Sequence, residues 1–183
     1  MNFWMILLCV AVLAVLVINA YNRLVRLKAM VDEAWSGIEV QLKRRYDLVP
    51  NLVNVVKGYA THESTVFEQV AKMRSIAMGA QGIEQKAGAE SGFSGVLKTL
   101  FAVAEQYPEL KANINFLELQ KTLGDIETEL QLSRRYYNGS ARSYNIATRV
   151  FPSSLIASAT GFTAYPYFQV SDETERQAPE VRF

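Results

Sequence analysis

An apolar run from Phe3 to Ala20, interrupted only by Asn19, constrains this chain more than any other feature. Crossing a bilayer takes about 20 such residues. Trp4 and Tyr21 bracket the run as interfacial aromatics do. In a helix they stand about 26 Å apart, close to the ~30 Å hydrocarbon thickness. A cleaved signal peptide is the competing reading, but the run has no basic n-region and no small-x-small cleavage site where one is expected. Leu8 before Cys9 argues against a lipoprotein site. No Lys or Arg precedes the run, and Arg23, Arg26 and Lys28 follow it at once. The positive-inside rule then predicts a single-pass membrane protein with the bulk of the chain cytoplasmic.

Nothing breaks a helix between Tyr21 and Trp35, so the spanning helix is expected to run on to about Gly58. Along it, Leu24, Val31, Ile38 and Leu52 form one apolar row, and Trp35, Leu42, Val49 and Val56 a second, together a stripe at helical period. Arg45 occupies the first row where an apolar residue belongs, and Pro50 follows. A proline in a helix interior removes a donor and clashes with the preceding turn, at about 3 kcal/mol, so a kink is expected near Tyr46. Local rules broken in this way mark function or a structural lock.

The remaining elements also read as helices. Thr61 is a candidate N-cap for a helix carrying Val66, Val70, Met73 and Ala77 and ending at Gly79. Gly79, Gly82, Gly88, Gly92 and Gly95 suggest a flexible connection with a helical turn around Ile83 to Ala87. A third helix is apolar at Val96, Leu97, Leu100, Phe101 and Ala104 and stops before Pro108. Asn115 and Glu118 are spaced as a capping box, with Ile114 and Leu119 as its staple, for a fourth helix reaching about Val150. Phe151-Pro152 ends it, and an uncharged aromatic segment follows with a helical turn near 154–159. The fold class is therefore all-α: a transmembrane helix at 1–20 continuing into an antiparallel four-helix bundle over 21–152. Residues 153–183 form an aromatic return segment and a polar tail, the last part, 171–183, expected to be mobile.

Net charge is +1, which removes any global field for nucleic acid, and no nucleic-acid partner is expected. The single histidine, His62, excludes metal sites built on two imidazoles, and no metal or other cofactor is expected. His62-Glu63-Ser64 has hydrolase residue types, but consecutive helical residues do not face one another. Glu118, Glu127 and Glu129 share a helix without the Glu-x-x-His pairs of a di-iron bundle.

Two features could carry function. Arg44, Arg45, Tyr46 and Asp47 on the first helix are matched by Arg134, Arg135, Tyr136 and Tyr137 on the last. Guanidinium forks in such a cluster bind an anion or a partner's carboxylate. The alternative is an internal polar lock, with Arg45 paired to Asp47, Glu127 or another carboxylate and fixing helix register. The second feature is the aromatic segment after the returning helix. Phe151, Leu155, Ile156, Phe162, Tyr165, Tyr167 and Phe168 are candidates for a membrane-surface or subunit contact, with core cover as the alternative.

The chain resembles the LemA family of bacterial membrane proteins. The resemblance rests on Tyr21 to Val25, Val31 to Ile38, Gln41 to Val53, Val56 to Glu63, Tyr107 to Asn113, Phe116 to Leu123, Arg134 to Asn138, Tyr144-Asn145 and Phe151-Pro152. It implies a single-pass protein with a cytoplasmic helix bundle and no established enzymatic activity. Some members are encoded near a membrane zinc metalloprotease, and one branch takes part in magnetosome membranes. The expected function is a membrane-anchored, non-catalytic scaffold or adaptor that forms a homo-oligomer or binds another membrane protein, such as that metalloprotease. The alternative is a small-anion sensor or enzyme using the Arg-Tyr cluster.

Overall fold

The helix that begins in the apolar run does not stop where the run does. In a computed structural model, which describes residues 3–169, α1 spans Phe3–Lys57 as one 55-residue helix. Its most apolar 18-residue window has a mean hydropathy of 2.7 and is wholly unburied, so α1 is long and apolar enough to cross a bilayer. The other helices are α2 (Ser64–Gly79), α3 (Ile83–Ala104), α4 (Pro108–Lys111), α5 (Ile114–Ala147) and α6 (Ser153–Thr160). No strand occurs among the described residues, and the chain is all-α. The polar stretch 171–183, expected as a tail, lies outside the described residues.

The chain divides into two compact units, and both long helices contribute to each. One unit comprises residues 3–39 and Leu132–Tyr167, the other Val40–Gln131 with Phe168. In the first, Leu24 clusters with Ala147 and Ala157, and Trp35 meets Tyr137 edge-on at 5.7 Å. Pairing 24 with 147 and 35 with 137 means that α1 and α5 run antiparallel there. In the second, Leu42, Val49, Leu52 and Val56 are buried together with Phe67, Val70, Phe93, Leu97, Leu100, Leu123 and Ile126. The apolar row is continuous in burial: Leu24, Val31, Ile38 and Leu52 are fully buried, and Arg45 within it is 2% exposed.

The glycine-rich stretch corrects an expectation. It is not a flexible connection but most of α3, which passes through Gly88, Gly92 and Gly95. Each interior glycine costs a helix about 1 kcal/mol. Against that, Ala87, Glu90, Phe93, Leu97 and Leu100 recur every three or four residues and are buried. Full burial of each large apolar side chain among them stabilises by about 1.5–3 kcal/mol, so packing wins. Gly92 lies close to α2, where a Cβ would come within 2.6 Å of Met73 Cε, the far end of a side chain flexible enough to shift aside.

Two helix starts differ in detail. Helix α2 begins at Ser64 after Glu63, without a side-chain cap, so Thr61 is not its N-cap. For α5 the cap is Asn113, whose Oδ1 accepts from the backbone N–H groups of Asn115 (2.9 Å) and Phe116 (3.1 Å). The cap therefore lies two residues before the expected Asn115, and its third helical residue is Phe116, so the cap is a single asparagine and not a capping box. The Tyr59 hydroxyl accepts from Asn113 Nδ2 at 2.9 Å, which holds the cap in place and was invisible in local spacing. The short α4, with Pro108 in its first turn, was also missed.

Pro50 lies inside α1. Its missing N–H would have bonded the carbonyl of residue 46, four positions earlier. Arg74, from α2, supplies the donor instead: its Nε donates to the Tyr46 carbonyl at 2.7 Å. A charge-assisted bond to an orphaned acceptor is worth about 1.5–3 kcal/mol. We therefore expect Arg74→Ala to destabilise the protein by about 1–3 kcal/mol. In a Pro50→Ala background, where a backbone donor is restored, the same substitution should cost much less. A double-mutant cycle by urea denaturation in mild detergent checks this, and additive losses would refute the compensation.

Candidate functional site

Arg45 is the most demanding residue in the interior. A guanidinium can sit at an apolar position only if its donors and charge are met. Its Nη1 donates to Glu90 Oε2 at 2.8 Å, and its Nη2 to Ser94 Oγ at 2.9 Å. Its Nε lies 2.7 Å from Glu127 Oε1, a close ion contact whose alignment falls short of a hydrogen bond. The Phe93 ring lies 5.1 Å from the guanidinium carbon, in cation–π range. The Tyr46 hydroxyl donates a short hydrogen bond to the other oxygen of Glu90. Glu90 is fully buried, whereas Glu127 keeps about a third of its side chain in solvent.

The neighbouring predicted residues behave differently. Asp47 is exposed and pairs with Lys43 at 2.9 Å rather than with Arg45. Arg44 is exposed and donates to Gln41 Oε1 at 3.1 Å. Glu90 and Ser94 were missed because they lie in the stretch read as a flexible linker.

Residues 134–137 belong to the other unit. Tyr137 is buried, Arg134 is half-buried, and Arg135 and Tyr136 are exposed. Arg135 and Tyr136 line an open groove of about 590 Å³ with Leu27, Met30 and Leu132. The Tyr137 hydroxyl donates to the Pro166 carbonyl at 2.8 Å, which ties the aromatic segment to α5.

Asn145 makes the tightest of these ties. Its Nδ2 donates to the Tyr165 carbonyl at 2.8 Å, and its Oδ1 accepts the Tyr165 N–H at 2.9 Å, so one amide satisfies both backbone groups of an irregular residue. The Tyr165 hydroxyl donates to Asp32 Oδ1 on α1 at 2.5 Å. Tyr144 stacks edge-on against Tyr165 at 5.2 Å and Phe162 at 6.4 Å, and Phe162 meets Tyr21 at 5.8 Å. Burial, followed by the Asp32 carboxylate, raises the Tyr137 hydroxyl to about 12 and also raises that of Tyr144. Tyr165 is raised further by burial, then by its hydrogen bond to Asp32 and by the charge there. Asp32 and Asn145 fall within stretches that carry the family resemblance, but the sequence assigned them no role as ties, because their partners are more than 100 and about 20 residues away.

The seven aromatic and aliphatic residues expected to form one exposed contact separate into two sets. Phe168 is 3% exposed, which corrects its assignment to an exposed contact, and Phe162 and Tyr165 are half-buried against α1 and α5. Ile156 packs partly against the Leu24 cluster. Phe151 (80% exposed), Leu155 (62%) and Tyr167 (39%) do face outward.

A family model described as "LemA family" matches residues 34–183. Magnetosome protein MamQ of Magnetospirillum gryphiswaldense is 30% identical, over 81% of this chain and 64% of its own length. Magnetosome protein MamQ 2 of Paramagnetospirillum magneticum is 29% identical, over 90% of this chain and 70% of its own. Protein LemA of Metamycoplasma hominis is 26% identical, over 82% and 69% respectively. The chain thus spans about two thirds of the length of these relatives.

Two outcomes follow from the geometry. Glu90→Leu leaves a buried guanidinium short of its main counter-charge and should destabilise by about 3–5 kcal/mol. Adding Arg45→Met should recover most of that loss in the denaturant midpoint, and no recovery would show that the pair is not the cause. The second outcome concerns alkaline pH. An unfolded tyrosine ionises near 10, whereas folded Tyr137 holds its proton to about 12. Over that interval the unfolded state binds fewer protons, so this part of the stability is whole below pH 10 and is lost as pH rises through about 12. Tyr137→Phe should flatten the fall in denaturant midpoint across that window.

Proposed function

The chain belongs to the LemA family, and from that premise we propose that it is a membrane-anchored helical scaffold or adaptor. A single N-terminal span holds it in the bacterial inner membrane, with the helical body on the cytoplasmic side. It works by assembling with copies of itself or with another membrane protein, a membrane metalloprotease being one candidate. The observation that carries this reading is α1 itself. An unburied apolar segment passes without a break into a helix that forms part of the folded core. Such a helix couples the position of the body to the bilayer with no hinge between them. The relatives named as magnetosome proteins add weight to a structural role at a membrane.

The rival reading, a small-anion sensor or enzyme at the Arg-Tyr clusters, requires a guanidinium within reach of solvent. Arg45 is 2% exposed and is engaged by Glu90, Ser94 and Glu127, so it argues for a lock. An open groove beside Arg135 is available for a partner's side chains.

Self-assembly is tested by the mass of the full-length protein in mild detergent, measured by light scattering corrected for bound detergent. We expect a discrete multimer. A monomer at all concentrations would overturn self-association and leave only the adaptor role toward a different protein.

A further inference from the structure

Around the end of α5 and the start of α6, several large apolar side chains face outward, the wrong side for a soluble protein. Helix α6 turns Ala157 (2% exposed) inward against Leu24, with Ile156 partly packed beside it, and buries Ser153 (5%), whereas Leu155 (62%) and, in the turn before α6, Phe151 (80%) face outward. Ile146 and Val150 beside them are 53% and 44% exposed. In a helix buried on one face against its own fold, the bulkier apolar groups belong inside. Here Ala157 and Ser153 are inside and Ile156 is partly covered, while the bulky Ile146, Val150, Phe151 and Leu155 lie exposed close together in the chain, which calls for a second apolar phase.

The position of this patch along α1 identifies that phase. Ala147 lies level with Leu24, and α5 runs back toward the apolar segment of α1. The backbone keeps helical bonding past Ala147, through Thr148 N–H to Tyr144 C=O and Val150 N–H to Ile146 C=O. At 1.5 Å per residue, Val150 and Phe151 therefore stand about 4.5–6 Å beyond the Leu24 level. That is the level of Tyr21, where the apolar run ends. The contact between Phe162 and Tyr21, at 5.8 Å, places the loop after α6 at the same level independently. Gly161, with φ 77°, ends α6 and turns Phe162 back, its N–H bonded to Ala157 C=O at 3.0 Å.

Charge agrees. Residues 132–168 contain four arginines and no acidic residue, and no acidic residue precedes Asp32. Arg23, Arg26, Lys28 and Arg149 are all exposed in this part of the fold. The chain as a whole is nearly neutral, at +1, so the basic excess is local to this unit.

We propose that Phe151, Leu155 and the adjoining turn form a second membrane contact, an interfacial anchor that inserts at the headgroup–acyl boundary of an anionic leaflet. Arg23, Arg26 and Arg149 meet the lipid phosphates around it. This anchor rests on the reading of α1 as a membrane span. It fixes the rotation of the body about α1 as well as its distance from the bilayer, because a single helix leaves rotation free and a lateral contact does not.

The test uses the full-length chain in a Cys9→Ser background, reconstituted in vesicles of phosphatidylcholine with or without phosphatidylglycerol. An environment-sensitive fluorophore is placed in turn at Leu155→Cys, Val12→Cys and Tyr136→Cys, and quenched by lipids carrying a nitroxide at shallow or deep positions. The Leu155 label should emit to the blue of the Tyr136 label and be quenched most by the shallow nitroxide, whereas the Val12 label should be quenched most by the deep one. Quenching at Leu155 should fall when phosphatidylglycerol is omitted. A Leu155 label quenched only by aqueous iodide would overturn the anchor while leaving the span intact. A label shielded from both iodide and lipid would also overturn it, and would assign the patch to a protein contact. Equal lipid quenching at Leu155 with and without phosphatidylglycerol would overturn the anionic preference. If the Val12 label is unquenched by lipid, the span itself fails, and the anchor with it.

Discussion

A guanidinium at an apolar position of α1 sets the terms for the unit around it. Left unpaired in the interior, that charge would cost several kcal/mol, comparable to the whole stability of an ordinary domain. Glu90 and Ser94 from α3 and Glu127 from α5 meet it, each within 3 Å, and the Phe93 face covers it. These contacts are directional, unlike the apolar packing around them. A slip of one turn in α3 or α5 would leave charges unmatched, so the network specifies register even where its net contribution to stability is small. One turn further along α1, Pro50 leaves the Tyr46 carbonyl without its helical donor, and Arg74 of α2 answers it. The stretch 45–50 of α1 thus recruits a polar group from every other long helix of that unit.

The other unit solves a different problem, which is how to hold a segment without regular structure against two helices. The residues after α6 have few backbone partners of their own, and side chains provide them. Asn145 satisfies both backbone groups of Tyr165, Tyr137 bonds the Pro166 carbonyl, and Asp32 accepts from the Tyr165 hydroxyl. The uncharged, aromatic character of this segment has two sources. Phe162 and Tyr165 are there to be packed, and Phe151 and Leu155 are left facing outward.

The chain is a LemA-family protein whose first helix is long and apolar enough to cross a bilayer. The buried Arg45 is engaged within its own unit, and α1 carries the apolar segment and the folded residues after it in one continuous helix. The unit that α1 shares with the end of α5 exposes apolar side chains, Phe151 and Leu155 among them, together with Arg23, Arg26, Lys28 and Arg149.

Local periodicity by itself determined a great deal. Hydropathy and interfacial aromatics marked the apolar segment, and three-and-four spacing placed α1 and the long α5. The stripe from Leu24 to Val56 named core residues that are buried, Trp35 alone among them being half-buried, because a helix surface maps directly onto sequence at 3.6 residues per turn. The anomaly at Arg45 and Pro50 was also legible, since each breaks a rule that operates within a few residues. Only the tertiary structure decided how those breaks are resolved. Glu90 is 45 residues from Arg45, Arg74 is 28 from Tyr46, and Tyr165 is 133 from Asp32. The same holds for α3, whose glycines read as a linker until Phe93, Leu97 and Leu100 found a core to enter. It holds too for the aromatic segment, where a run of like residues was divided into packed and exposed by the course of the chain. Propensity and pattern act over one or two turns, whereas partner choice depends on which distant side chains packing brings within bonding distance, and that information is not local.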